Sequence, residues 1–136
     1  MNEEEKWLYL YTLPCTLGDL RAFQILKACG RFNAFLRGDF GREKVREYFL
    51  GPHNSEAWQK GNFQHMLIQY RVESIDGGIR CTSQISCKLP ANLETITLDS
   101  KDIEKAREFG LVMDRKLEKG DYLFVHGGFV VDYEEK

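Results

Sequence analysis

Hydrophobic and polar residues alternate in two neighbouring stretches of the chain, and this alternation predicts a pair of β-strands. Apolar side chains occupy the even positions of 66–72 and the odd positions of 79–89, except that Leu67 lies on the polar face and Ser83 on the apolar face. Asp76-Gly77-Gly78, between the two stretches, supplies the positive-φ residues that a tight turn needs. We therefore predict a β-hairpin over residues 65–89.

Apolar residues recur at intervals of three and four before this hairpin, which is the spacing of amphipathic helices. We expect a first helix to begin at Thr16, with Asp19 as its capping-box partner, and to bury one apolar face. That face consists of Ala22, Ile25, Leu26, Cys29, Phe32 and Leu36. A second helix is expected after Asp39, ending at Gly51-Pro52, and a third, short one from residue 54 or 55 to 61.

Three further segments are expected to be strands. Residues 7–11 are rich in aromatic side chains, which fit a pleated surface, and Pro14 ends this run. Residues 94–98 form a second strand, followed by a helix capped by Asp99-Ser100 and ending at Gly110. The third strand, 122–133, is apolar on both faces and therefore central, with Gly127-Gly128 marking a bulge or a close approach by another segment.

These elements predict one α+β domain over residues 1–136, built on an antiparallel sheet of five to six strands. Two to three N-terminal helices and one later helix are expected to pack on one face of the sheet. A chain of 136 residues, 43% of them hydrophobic, is long enough for one core. Two domains of half that length would each have a marginal core.

The charge balance argues against several classes of function. The formal net charge is −2, from 19 basic and 21 acidic residues, so the chain lacks the basic excess that nucleic-acid binding needs. We expect no membrane association, because no apolar run is long enough to cross a bilayer. An acidic N-terminus without a signal sequence predicts a cytoplasmic protein with reduced thiols.

The cysteines and histidines lack the spacing of metal ligands. Cys81 and Cys87 lie six positions apart, and the chain has neither a Cys-x-x-Cys motif nor a His-x-x-x-His pair, so we expect no metal. Motifs for phosphate loops, dinucleotides, nucleophile elbows and zinc proteases are also absent. We therefore expect no cofactor, and whether the protein is an enzyme stays open, with the balance against catalysis.

Two residues are candidates for chemistry, although a structural role in the core explains each of them as well. His126 lies in an apolar strand, where it is an acid or base if a polar partner such as His65, Tyr70, Arg71 or Glu73 comes from another strand. Asp132 would lie about 20 Å away along the same strand. Cys15 is expected at a helix N-terminus, where the helix dipole would lower its pKa and make the thiol reactive.

Aromatic residues are concentrated between positions 32 and 58, where helices would cover the sheet. They would line a ligand pocket there, pack as core, or anchor an exposed interface with a protein partner. The residues expected at such a pocket are Phe32, Tyr48, Trp58, His65, Tyr70 and Arg71.

The segment 120–129 resembles a known family. Its Gly-Asp-Tyr, Val-His and Gly-Phe pairs have the spacing of the closing strand in small hydrogenase-maturation chaperones, and residues 71–78 resemble the first strand of that family. The resemblance implies an accessory protein that carries an iron ligand complex to another protein. Those chaperones begin with Met-Cys, whereas this chain begins with Met1-Asn2. The same segment also resembles the Val-His-Gly-Gly segment of metallophosphatases.

We expect a small accessory protein that contacts another protein through an aromatic and charged surface, without catalysis of its own. A homodimer formed through an exposed edge strand is compatible with this function. The alternative is a small-molecule-binding protein or a cofactor-free enzyme that uses His126. An enclosed cavity of about 300 Å³ or more with converging polar groups would favour that alternative.

Overall fold

The computed structural model describes residues 1–28, 32, 41–85 and 88–136 of the chain. The helices in this part are α1 (Glu3–Tyr11), α2 (Leu13–Thr16), α3 (Leu20–Ala28), α4 (Arg42–Tyr48), α5 (Asn54–Gln59), α6 (Ala91–Glu94) and α7 (Ser100–Glu108). The strands are β1 (Leu67–Ser74), β2 (Ile79–Ser83), β3 (Thr95–Leu98), β4 (Tyr122–His126) and β5 (Phe129–Glu134). They form one antiparallel sheet in the order β3-β2-β1-β4-β5, which confirms the α+β prediction.

The strand register separates the residues of the two sheet faces. Cross-strand partners share a face, and successive residues of a strand alternate between faces. One face carries Leu67, Phe124, His126 and Asp132, and the other carries Ile68, Tyr70, Leu123 and Tyr133. Side chains of the N-terminal helices contact the first face, since the Tyr11 hydroxyl reaches Asp132. The segment that follows β2 contacts the opposite face, where the Tyr70 hydroxyl donates to the carbonyl of Leu93 in α6.

Residues 7–11 lie in helix α1, so the predicted first strand is wrong. Asn2 caps this helix by accepting a hydrogen bond from the amide of Glu5 at 2.8 Å, and the acidic residues 3–5 stabilise the positive end of the helix dipole. Aromatic residues favour strands only weakly, and here Leu8 and Tyr11 are buried on one helical face. Pro14 lies in the first turn of α2, where a missing N–H breaks no helical bond.

The next predicted helix has a different start and a different buried face. It begins at Leu20 instead of Thr16, because the side chain of Asp19 accepts a hydrogen bond from the amide of Ala22 at 2.9 Å. Phe23 is fully buried, whereas Ile25, predicted on the apolar face, is 66% exposed. Cys29 and Leu36, predicted on the same face, lie outside the described residues, as does Cys87.

The predicted helix end at Gly51-Pro52 is also wrong. Helix α4 continues into a π-helical turn, Phe49–His53, and then into α5. The amide of Asn54 donates to the carbonyl of Phe49, five residues back. This wider turn accommodates Pro52, which has no N–H to donate and whose ring would clash in a regular α-helix.

Segment 122–133 forms two strands joined by a turn, instead of the single central strand that its hydrophobicity predicts. His126 pairs with Phe129 across the turn, and Gly127 and Gly128 have φ values of 56° and 86°. The predicted close approach is confirmed, because a Cβ atom at Gly127 would lie 2.7 Å from Pro14. Strand β5 stands last in the strand order and is therefore an edge strand.

This edge strand is partly covered by the rest of the chain. The Arg42 guanidinium donates to the Tyr133 carbonyl, and the amide of Asp114 donates to the Tyr133 hydroxyl.

The structure confirms the other predicted elements, which are the hairpin, strand 94–98 and the helix after Asp99, although β2 ends at Ser83. In the described part of the chain, no helix is long and apolar enough to cross a membrane.

Candidate functional site

His126 lies on the helix-facing side of β4, with no solvent exposure. Its Nδ1 atom is 2.6 Å from the carbonyl oxygen of Tyr11. Because a carbonyl only accepts, Nδ1 carries the proton, and Nε2 of the neutral ring is left with its lone pair. Nε2 has no hydrogen-bond partner among the described residues. A buried nitrogen in this state is uncommon and is one mark of a functional site.

The imidazole of His126 packs against two rings of the π-helical turn, which also contact each other. The ring centroids of Phe49 and His53 lie 5.3 Å and 4.8 Å from that of His126. Short π-helical turns occur frequently at functional sites, because they redirect side chains that a regular helix would aim elsewhere. His53 is not among the residues predicted from the sequence, and the signal that could have revealed it is the adjacent Pro52 inside an apolar helical pattern.

Burial, and then the neighbouring His53, lower the pKa of His126 to about 4. The carbonyl oxygens of Tyr11 and His65 oppose this change. The His65 carbonyl nevertheless completes no hydrogen bond with Nε2. At neutral pH, His126 is therefore an uncharged hydrogen-bond acceptor, and a pKa this low makes it a poor general base.

Two histidines and a cysteine meet in a surface depression of about 200 Å³ beside α5. Cys15 and His65, both predicted site residues, line it together with His53. The remaining lining residues are Glu56, Ala57, Lys60 and Asn62. Cys15 is exposed and lies within the short helix α2, so its predicted place at the start of the following helix is wrong. Among the described residues, no cluster of histidine, cysteine or carboxylate side chains is arranged to hold a metal ion.

The predicted pocket residues do not come together. Phe32 and Tyr48 are buried and stack edge-on at 5.4 Å, and both pack against Phe49, so they form core between helices and sheet. Tyr70 lies on the opposite face, where burial and then Cys81 raise its pKa to about 12. Arg71 is exposed on β1.

Trp58 instead lies on the surface, at an open groove of about 540 Å³ that we call the Trp58 groove. The groove is lined by Leu50, Gly51, Asn54, Ser55, Trp58, Met66, Gln84 and Ile85. Trp58 is 42% exposed, and its ring packs edge-on against Phe63 at 5.0 Å. Helix α5 thus separates this groove from the depression that contains Cys15.

Asn54 holds α5 against the sheet. Its side-chain oxygen accepts from the amide of Leu67 at 2.7 Å, and its side-chain nitrogen donates to the carbonyl of Leu67 at 2.8 Å. The Asn54 side chain therefore makes the two hydrogen bonds that a neighbouring strand would make with Leu67. Leu67 lies at the start of β1, before the residues that pair with β2. Because Asn54 is buried, both backbone groups of Leu67 depend on this one side chain.

A buried ion cluster lies on the same sheet face. The Asp132 carboxylate has no exposure and accepts from the Tyr11 hydroxyl at 2.6 Å, from Arg46 at 2.7 Å and from Arg42 at 2.5 Å. Burial, followed by the nearby Asp132, raises the pKa of Tyr11 well above its usual value. The cluster ties α1 and α4 to β5, which is a structural role.

No family model, curated protein or solved structure matches the chain. The residues behind the resemblance at 120–129 have structural partners. Asp121 accepts two hydrogen bonds from the Arg115 guanidinium, and Gly127 and Gly128 form the β4–β5 turn.

Proposed function

We propose that this protein is a small binding protein that recognises a partner polypeptide on the surface around α5, without catalysing a reaction. The observation that carries this proposal is the exposure of Trp58 beside an apolar groove. Tryptophan is the residue type most enriched among the anchors of protein interfaces, and grouped apolar residues on a surface mark interaction sites. Leu50, 39% exposed, adds to the apolar surface of the groove.

The packing of the interior favours this function over an enzyme or a small-molecule carrier with its pocket under the N-terminal helices. The predicted pocket position is filled by Phe32, Tyr48 and Phe49, whose rings contact one another. His126, the predicted acid or base, is buried and has a pKa of about 4. Both observations argue against acid–base chemistry at neutral pH at that position.

The chemistry of the groove indicates the kind of segment that it would bind. Met66 and Ile85 are apolar, whereas Ser55 and Gln84 offer uncharged polar groups. A partner segment that inserts a large apolar side chain beside Trp58 and makes backbone hydrogen bonds at the polar residues would match this surface.

A photo-crosslinking experiment in the native cells tests the proposal. A benzophenone amino acid replaces Trp58 in one variant and Ile75, an exposed hydrophobic residue of the β1–β2 connection, in a control variant. We expect one discrete crosslinked product from position 58 that position 75 does not give, and we expect Leu50→Asp to abolish it. A product of twice the chain mass would identify the partner as a second copy. The same products from both positions, or none from position 58, would refute the proposal.

A further inference from the structure

A different cavity lies between helix α7 and the β4–β5 turn. Its volume is about 260 Å³, and it shares no lining residue with the Trp58 groove or with the depression beside α5. The lining residues are Leu13, Asp102, Lys105, Ala106, Phe109, Gly127, Gly128, Phe129 and Val130. An apolar cavity of about 150 Å³ suffices for benzene, so this volume admits a small organic molecule.

The β4–β5 turn forms an unobstructed part of the cavity wall. At Gly128, the φ of 86° disfavours any residue with a side chain, and a Cβ atom placed there would have no atom within 4 Å. The backbone conformation selects glycine at this position, and the missing side chain leaves the space beside Gly128 open. A ligand in the cavity is able to approach the main chain of the turn closely.

Lys105 supplies a cation that has no ion-pair partner among the described residues. Its ammonium lies over the ring of Phe129, 4.5 Å from the ring centroid. Asp102 carries the opposite charge in the same lining, but its Oδ2 atom accepts from the amide of Asp99 at 2.9 Å as part of the α7 cap.

The rest of the lining is apolar. The rings of Phe109 and Phe129 lie 6.4 Å apart in an edge-to-face arrangement. Leu13, Ala106 and Val130 complete the apolar walls. Lys105 is the one cation of this lining, and Asp102, its one carboxylate, is part of the α7 cap. A small amphipathic anion matches this cation beside apolar walls.

We propose that this cavity binds a small organic carboxylate with an aromatic or branched aliphatic body. The Lys105 ammonium binds the carboxylate, and the partly exposed rings of Phe109 and Phe129 contact the apolar body. This site is independent of partner binding at α5, so either proposal stands if the other fails.

Benzoate and its uncharged isostere benzamide test the site on the full-length chain. Amide NMR signals of Gly127 and Gly128 report binding during titration with each compound. We expect saturable shifts with benzoate and at least about tenfold weaker binding of benzamide, because the charge-assisted hydrogen bond is lost. Equal affinity for the two compounds, or no saturable shift at the turn with benzoate, would overturn the proposal.

Three variants test whether benzoate binds in this cavity. Lys105→Met keeps the aliphatic stem over Phe129 and removes the charge, so benzoate affinity should fall about tenfold. Lys101→Met, at an exposed position of the same helix outside the cavity, should leave the affinity unchanged. Asp102→Asn removes the opposing charge and should tighten benzoate binding. Thermal melts verify that each variant is folded, and an affinity of Lys105→Met equal to that of the unmodified chain contradicts the site.

Discussion

The hydroxyl of Tyr11 donates a hydrogen bond to the carboxylate of Asp132 over 2.6 Å, joining the first helix to the last strand across 121 positions of the sequence. The backbone of the same tyrosine accepts the proton of His126 Nδ1. Tyr11 therefore fixes two buried polar groups on neighbouring strands. Its hydroxyl holds Asp132 of β5, and its carbonyl holds His126 of β4.

We expect Asp132→Ala to lower the free energy of unfolding by about 3–5 kcal/mol, because it leaves the Arg46 and Arg42 guanidinium groups without their shared buried partner. Tyr11→Phe removes the hydrogen bond donated to Asp132 and the one accepted from Arg46 Nε at 3.1 Å, and should cost about 1.5–3 kcal/mol. Urea denaturation measures both values. Glu134→Ala, which removes the half-exposed partner of Arg46, should cost less than about 1 kcal/mol. Equal losses for Asp132→Ala and Glu134→Ala would show that burial of the cluster contributes nothing.

Asn54→Ala should lower the free energy of unfolding by about 2–4 kcal/mol, because the amide and carbonyl of Leu67 both lose their buried partner. Chemical denaturation measures this loss, and amide hydrogen exchange at Leu67 should accelerate. Asn92→Ala, at an exposed position of α6, is the matched control and should change stability by less than about 0.5 kcal/mol. Unchanged exchange at Leu67 in Asn54→Ala would contradict the strand-like role of Asn54.

Acid should destabilise the protein through His126. Folding lowers the pKa of this imidazole from 6.5 to about 4, so between these values the unfolded chain binds more protons than the folded chain. The contribution of His126 to stability is complete above pH 6.5 and is lost as the pH falls towards 4, by about 3 kcal/mol in total.

Urea denaturation across this pH window measures the effect. In His126→Phe, the dependence of the unfolding free energy on pH should be weaker than in the unmodified chain. Val125→Ala, at a buried neighbour that does not titrate, should retain the full dependence. An NMR titration in which the His126 imidazole is protonated near pH 6.5 would contradict the lowered pKa.

The cysteines Cys15 and Cys81 should differ sharply in reactivity. Burial, and then Glu73, raise the pKa of Cys81 to about 11, so its thiolate is scarce at neutral pH and out of reach of reagents. Cys15 is exposed. In a chain with Cys29→Ser and Cys87→Ser, a thiol reagent should modify Cys15 in the folded protein and Cys81 only after denaturation. Rapid modification of Cys81 in folded Cys15→Ser would disprove this assignment.

The candidate site was only partly predictable. Cys15, His65 and His126 stand out in the sequence because of their chemistry, and the first two line one depression that lies against His53. His53 was missed because Gly51-Pro52 is typical of a helix end, whereas the chain continues through a π-helical turn that packs Phe49 and His53 on His126. For Trp58 the sequence left open a ligand pocket, the core or an exposed interface, and the position of α5 on the sheet makes it exposed.

Local patterns by themselves determined the β1–β2 hairpin, strand β3 and the capped helix α7, because alternation, turn glycines and capping residues act over a few positions. The Asn2 cap and the Gly127-Gly128 pair permit a helix at residues 7–11 and a turn within segment 122–133, but tertiary contacts decided that each of them forms. These outcomes depend on contacts between distant residues, of Tyr11 with Asp132 and His126, and of Pro14 with Gly127. A short apolar run fits a buried strand and a buried helix equally well, so its conformation is set by the partners it packs against.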